Sequence, residues 1–148
     1  IFNKKKMIKN FRHTGLVTTN LKQSMNFYVK LLGLEKIKEI NENEKLMNKV
    51  LYLNNCKLKT IKLGVKKKIF LELLYFKNFK KNKKKIKIYT PGLTHISLTV
   101  KNLSSLHKKL KKAKVNFLSN PCLSHDKKVK LVFCKSPENI FIELVEII

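Results

Sequence analysis

The run Ile69-Phe70-Leu71-Glu72-Leu73-Leu74 returns as Ile140-Phe141-Ile142-Glu143-Leu144-Val145, with four identities in six positions and a carboxylate at the same place inside apolar surroundings. A second set of matches lies eighty-two residues apart: His13 with His95, Leu16 with Leu98, Asn20 with Asn102 and Leu21 with Leu103. Together they mark an internal duplication. Each half reads as a histidine, a strand, an Asn-Leu turn, a helix and then strands that end in a glutamate. The repeat constrains chemistry as well as fold, because burying a carboxylate among β-branched and aromatic side chains costs several kcal/mol unless a cation satisfies it. The chain has only nine acidic residues, and two matched acids ask for a shared cation.

The local patterns place these residues. Arg12 to Thr19 and Thr94 to Val100 have the period-two, β-branched character of half-buried strands. After the first, Asn20 caps a helix that carries Leu21, Met25, Tyr28, Leu31 and Leu32 on one face until Gly33 stops it. After the second, Asn102 caps a helix with Leu103, Leu106, Leu110 and Ala113 on its stripe and His107 mostly off it. Strand-like runs follow at Val50 to Leu53, Lys57 to Val65 and Ile69 to Phe76, and again at Val115 to Leu118, Lys128 to Cys134 and Ile140 to Ile147. Alternation along a strand sets Phe70, Glu72 and Leu74 on one face and Phe141, Glu143 and Val145 on the corresponding one. The domain reading is an N-terminal extension at 1–10 and one domain at 11–148. Within it one module spans about 11–76, a lysine-rich linker about 77–91 and a second module about 92–148.

A formal net charge of +25 ordinarily points to nucleic acid or an anionic membrane surface. Here Arg12 is the only arginine among 34 basic residues. Lysine, asparagine and isoleucine share A/T-rich codons, so a biased base composition accounts for the charge, whereas a dedicated nucleic-acid reader retains arginines for bidentate contacts. Neither nucleic acid nor a membrane is the expected partner, and the lysines favour at most an anionic small ligand. Cys56, Cys122 and Cys134 form neither a CxxC pair nor an even framework, which fits a reducing, cytoplasmic setting. His125 and Asp126 read as loop surface.

His13, Glu72, His95 and Glu143 form an N/O donor set that suits Zn, Ni, Co, Mn or Fe as one divalent ion per site, with water completing the shell. Arg12-His13-Thr14-Gly15-Leu16-Val17, Asn26-Phe27-Tyr28, Leu31-Leu32-Gly33-Leu34, Thr94-His95-Ile96-Ser97-Leu98-Thr99-Val100 and Ile142-Glu143-Leu144-Val145-Glu146 resemble the signatures of the vicinal oxygen chelate superfamily. That superfamily includes glyoxalase I, methylmalonyl-CoA epimerase, fosfomycin-resistance proteins, bleomycin-resistance proteins and extradiol dioxygenases. The likeness covers roughly residues 11 to 147. It departs where relatives carry Asp-Pro-Asp-Gly-Asn before the last strand and this chain has Ser136-Pro137-Glu138-Asn139-Ile140, in which Asn139 can take the left-handed turn conformation.

The resemblance implies an α+β fold of two tandem βαβββ modules, whose mostly antiparallel sheets form a cup around a metal. His13, Glu72, His95 and Glu143 fall at its ligand positions. It further implies a lyase or isomerase of the glyoxalase or epimerase type acting on a small carbonyl compound or thioester. The metal would hold an enediolate, and Glu143 or Glu72, alike by symmetry, would serve as base. It also implies a homodimer. The alternatives are an Fe(II) extradiol-type dioxygenase, in which Glu72 is no ligand, and a non-catalytic ligand-sequestering protein.

Overall fold

The computed structural model describes residues 7–148; residues 1–6, the larger part of the expected extension, lie outside the described residues. The chain builds two four-stranded sheets. In the first, β1 (Thr14–Val17), β2 (Glu35–Asn41), β3 (Leu58–Val65) and β4 (Lys68–Phe76) are ordered β1-β4-β3-β2. In the second, β5 (His95–Thr99), β6 (Cys122–Leu123), β7 (Val129–Lys135) and β8 (Phe141–Ile147) are ordered β5-β8-β7-β6. The first and last strands of each half pair in parallel and the remaining neighbours antiparallel. Each half is therefore a βαβββ unit, as the resemblance implied, and neither sheet closes into a barrel.

Helix α1 (Leu21–Met25) begins where the Asn20 side chain accepts the N–H of Gln23, then widens into a π-helical segment, Asn26–Leu31, that ends at Gly33 with φ +81°. Helix α3 (Leu103–Lys112) repeats the device with Asn102 and the N–H of Ser105. Leu71 and Leu73 in β4, and Ile142 and Leu144 in β8, are at most 1% exposed and join Phe27, Tyr28, Leu103 and Leu110 in one core. Strand alternation turns Glu72 and Glu143, each only half-buried, to the opposite sheet faces.

Two expected strands differ. Val50 and Leu51 end a helix, α2 (Glu44–Leu51), which the Asn43 side chain caps at the N–H of Leu46 and which Tyr52 stops in the left-handed conformation. Val115 to Leu118 makes only an isolated bridge from Phe117 to Cys134; Pro121 has no N–H for the ladder, which resumes at Cys122. Conversely, β2 escapes period-two patterning. A bulge between Lys36 and Lys38 sets its inward residues, Ile37 and Ile40, three apart, and the remaining Glu and Lys residues suit an exposed edge. Residues 77–94 hold no helix or strand.

The β3–β4 hairpin turns through Lys66 and Lys67 with φ of +49° and +63°, a two-residue turn of the I′ kind for which Asn-Gly is preferred. The Glu35 carboxylate accepts both backbone N–H groups, at 3.0 and 3.2 Å. Replacing Lys66-Lys67 by Asn-Gly is expected to stabilise the chain by about 1 kcal/mol, read as a raised urea midpoint with unchanged slope.

Candidate functional site

The backbone register gives the two halves the same offset from histidine to glutamate, with His13 just before β1 and His95 the first residue of β5. On the parallel ladders Gly15 lies opposite Glu72 and Ser97 opposite Glu143, so each histidine stands two residues before its glutamate's partner. The equivalence inferred from sequence is thus an equivalence of strand position.

The side-chain surroundings are not equivalent. In the first half, His13 Nε2 lies 3.6 Å from Glu72 Oε1, and Lys62 Nζ lies 3.5 Å from Glu72 Oε2. Lys62 reaches it because it is the direct cross-strand partner of Glu72 on β3. The three side chains are 14–25% exposed, which makes this a half-buried, charge-compensated cluster. In the second half the same cross-strand position is Phe133. Its ring meets the His95 imidazole edge to face at a centroid distance of 5.5 Å. Among the described residues, Glu143 has neither a hydrogen bond nor an ion pair through its carboxylate, so one matched glutamate is charge-paired and the other is not.

The structure brings His13 and Glu72 together but does not gather all four candidates. Among the described residues no three His, Cys, Asp or Glu side chains form a group able to hold a metal ion. The half-sites lie on separate sheets, whose β1 and β5 edges pair only with β4 and β8. A cleft of about 500 Å³ adjoins both edges, lined by Thr14 and Phe70 from one sheet and Ser97 and Thr99 from the other. A smaller pocket of about 180 Å³ opens between Arg12, His13, Lys62 and Ile69.

Sequence reasoning missed Glu138 as more than a turn residue. Its carboxylate accepts hydrogen bonds from Ser24 Oγ and from Tyr28 OH, the latter at 2.8 Å, while Ser24 Oγ also meets Thr18 Oγ1 at 2.6 Å. Thr18, Ser24 and Tyr28 are each at most 1% exposed. Burial first, then the Glu138 charge, pushes the Tyr28 phenol far above its ordinary pKa, so it remains a donor. This network ties the helix of the first half to the β7–β8 turn of the second, where Asn139 takes the left-handed conformation foreseen for it (φ +65°). Of the remaining candidates, His125 and Asp126 are exposed, and Asp126 is engaged locally by Ser124 Oγ at 2.6 Å.

Comparison with known proteins agrees with this architecture. The family model described as Glyoxalase/Bleomycin resistance protein/Dioxygenase superfamily matches residues 10–144. A glyoxalase family protein from Bacillus cereus superposes with a TM-score of 0.86 at 16% identity, covering 98% of either chain. The trypanothione-dependent glyoxalase I of Leishmania major superposes with a TM-score of 0.68 at 19% identity, over 94% of this chain and 87% of that one. A glyoxalase I mutant from Zea mays is matched with a TM-score of 0.69 at 14% identity, and this chain spans 44% of its length. No curated protein sequence matches. No helix among the described residues is long and apolar enough to cross a membrane. With the family model covering nearly the whole chain, this protein belongs to the Glyoxalase/Bleomycin resistance protein/Dioxygenase superfamily.

Proposed function

We propose that the chain is a divalent-metal-dependent enzyme of the glyoxalase or epimerase type, which moves a proton on the carbon next to a carbonyl of a small molecule. The observation that carries this reading is the shared two-residue offset by which His13 and His95 precede the ladder partners of Glu72 and Glu143. The superfamily includes metal-dependent glyoxalase I and dioxygenases. The donors fit such an ion chemically, as neutral imidazoles and carboxylates, but one chain supplies them as two separate pairs. We therefore assign the complete set to a homodimer, in which His13 and Glu72 of one copy meet the His95 and Glu143 positions of a second across the open β1 and β5 edges.

In that arrangement the ion, when bound, acts as a Lewis acid toward the substrate carbonyl. The chain's own residues divide the remaining work. Lys62 and His13 flank the two oxygens of Glu72, which supports Glu72 as the anchoring ligand. Glu143, with Phe133 as its cross-strand neighbour and no competing partner, takes the proton from carbon and returns it. Phe133 also packs its ring against the His95 imidazole. The symmetry that left two equivalent bases in the sequence is thus broken by Lys62 and Phe133.

One observation favours a second reading. Lys62 already supplies Glu72 with a cation, as a metal-free, ligand-sequestering protein would require. Elemental analysis of protein purified without chelator or affinity-tag metal separates the two. The enzyme reading predicts about one divalent ion per site in the wild type and its loss in Glu72→Ala. Absence of metal from the wild type after reconstitution with Zn, Ni, Co, Mn and Fe in turn supports the binding protein. Iron retained by Glu72→Ala supports a dioxygenase.

A further inference from the structure

We propose that Arg12 and Lys62 form an oxyanion subsite, which takes a carboxylate or phosphate group of the ligand beside the His13–Glu72 pair. It rests on the preceding reading only in placing the ligand's reactive end at that pair. Arg12, His13, Lys62 and Ile69 line one concave pocket of about 180 Å³, roomy enough for a single such group. Lys62 is drawn into it by Glu72, and its side chain is only 18% exposed, unlike a freely solvated surface lysine. Arg12 is exposed at the rim, where its guanidinium can meet an incoming ligand.

Charge and residue identity point the same way. Two cationic side chains, Arg12 and Lys62, line the pocket beside one carboxylate, which pairs with Lys62, so the pocket keeps an excess positive charge even with Glu72 ionised. Among 34 basic residues in a chain whose composition favours lysine throughout, the one arginine stands at this pocket. A guanidinium presents a planar fork that matches two coplanar oxygens, which an ammonium cannot reproduce. The second half offers no counterpart, because Phe133 takes the position equivalent to Lys62. The subsite therefore gives the ligand a direction, with its anionic group toward the first half and its reactive carbon toward Glu143.

The test is titration calorimetry of metal-free, full-length protein with inorganic phosphate and, separately, with succinate at low ionic strength. The wild type should show saturable single-site binding of at least one of them. Arg12→Gln and Lys62→Gln should each weaken it by about tenfold or more, whereas Lys85→Gln, in the exposed lysine-rich segment, should leave it unchanged. Arg12→Lys should weaken succinate more than phosphate if the group recognised is a carboxylate, and the reverse order assigns it to phosphate. Binding equally strong in Arg12→Gln, or no saturable site in the wild type, overturns the proposal. Arg12 is exposed, so its variant folds and keeps the test decisive even if Lys62→Gln does not. Metal content measured on the same samples separates the two claims. Anion binding that maps to Arg12 in a protein that takes up no metal leaves the subsite standing and removes the metal enzyme; metal uptake without anion binding does the opposite.

Discussion

Glu138→Ala is expected to destabilise the chain by about 2–5 kcal/mol, one of the largest effects of any single substitution outside the apolar core. The change removes the acceptor for Tyr28 OH and one acceptor for Ser24 Oγ, which keeps the Asn20 carbonyl; both side chains are buried, so the phenol is left without its partner. A buried donor without a partner loses its water and gains nothing in return, which is why the loss exceeds the net worth of an ordinary hydrogen bond. Because the network joins the two halves, cooperativity should suffer as well as stability, and the urea transition should broaden or split as the halves uncouple. Glu138→Gln keeps one acceptor oxygen and should lose less than half as much. Equal loss in both variants would show that the carboxylate's charge, and not its hydrogen bonds, holds the halves together.

Glu143→Gln is expected to slow exchange of the substrate's carbon-bound proton with solvent by about 10²–10⁴-fold, with the metal retained. The amide preserves shape and one coordinating oxygen but cannot accept a proton at neutral pH. Glu72→Gln should behave differently. It dissolves the charge pairing with Lys62 and the contact with His13, so its main effect should fall on metal occupancy. Deuterium incorporation into candidate carbonyl compounds in D₂O, followed by NMR at matched metal loading, reads the two effects separately. If Glu72→Gln abolishes exchange at full occupancy while Glu143→Gln leaves it intact, the assignment of anchor and base is reversed.

The duplication was legible in sequence because strand parity survives in it. The glutamate recurs at one parity in Ile-Phe-x-Glu-Leu, and the buried Leu71, Leu73, Ile142 and Leu144 take the other parity, although Phe141 on the face of Glu143 is buried too. The helix caps were equally plain, since Asn20 and Asn102 act on residues three positions away. What stayed hidden depends on register or on distance along the chain. The bulge in β2 shifted Ile40 out of phase with Ile37 and erased the alternating pattern. Four residues at Val50 to Leu53 look like a strand, but Val50 and Leu51 end a helix whose cap, Asn43, lies seven positions before Val50. Lys62 and Phe133 become the neighbours that distinguish Glu72 from Glu143 only once the cross-strand register is known. Glu138 meets partners 114 and 110 residues away, a contact for which no local pattern exists. Arg12 was visible as the one arginine, but its place beside Lys62 was not.

The most direct test of the account mixes two disabled chains. One carries His13→Ala with Glu72→Ala and the other His95→Ala with Glu143→Ala, so neither can assemble a four-donor set alone. After unfolding and refolding together, a dimer of the two contains one site built from intact halves of different copies. The account predicts that metal binding and solvent exchange of the substrate proton return in the mixed dimer, at one of its two sites, and are absent from either chain refolded alone. No recovery in a mixture shown by native mass spectrometry to contain the mixed dimer would contradict it.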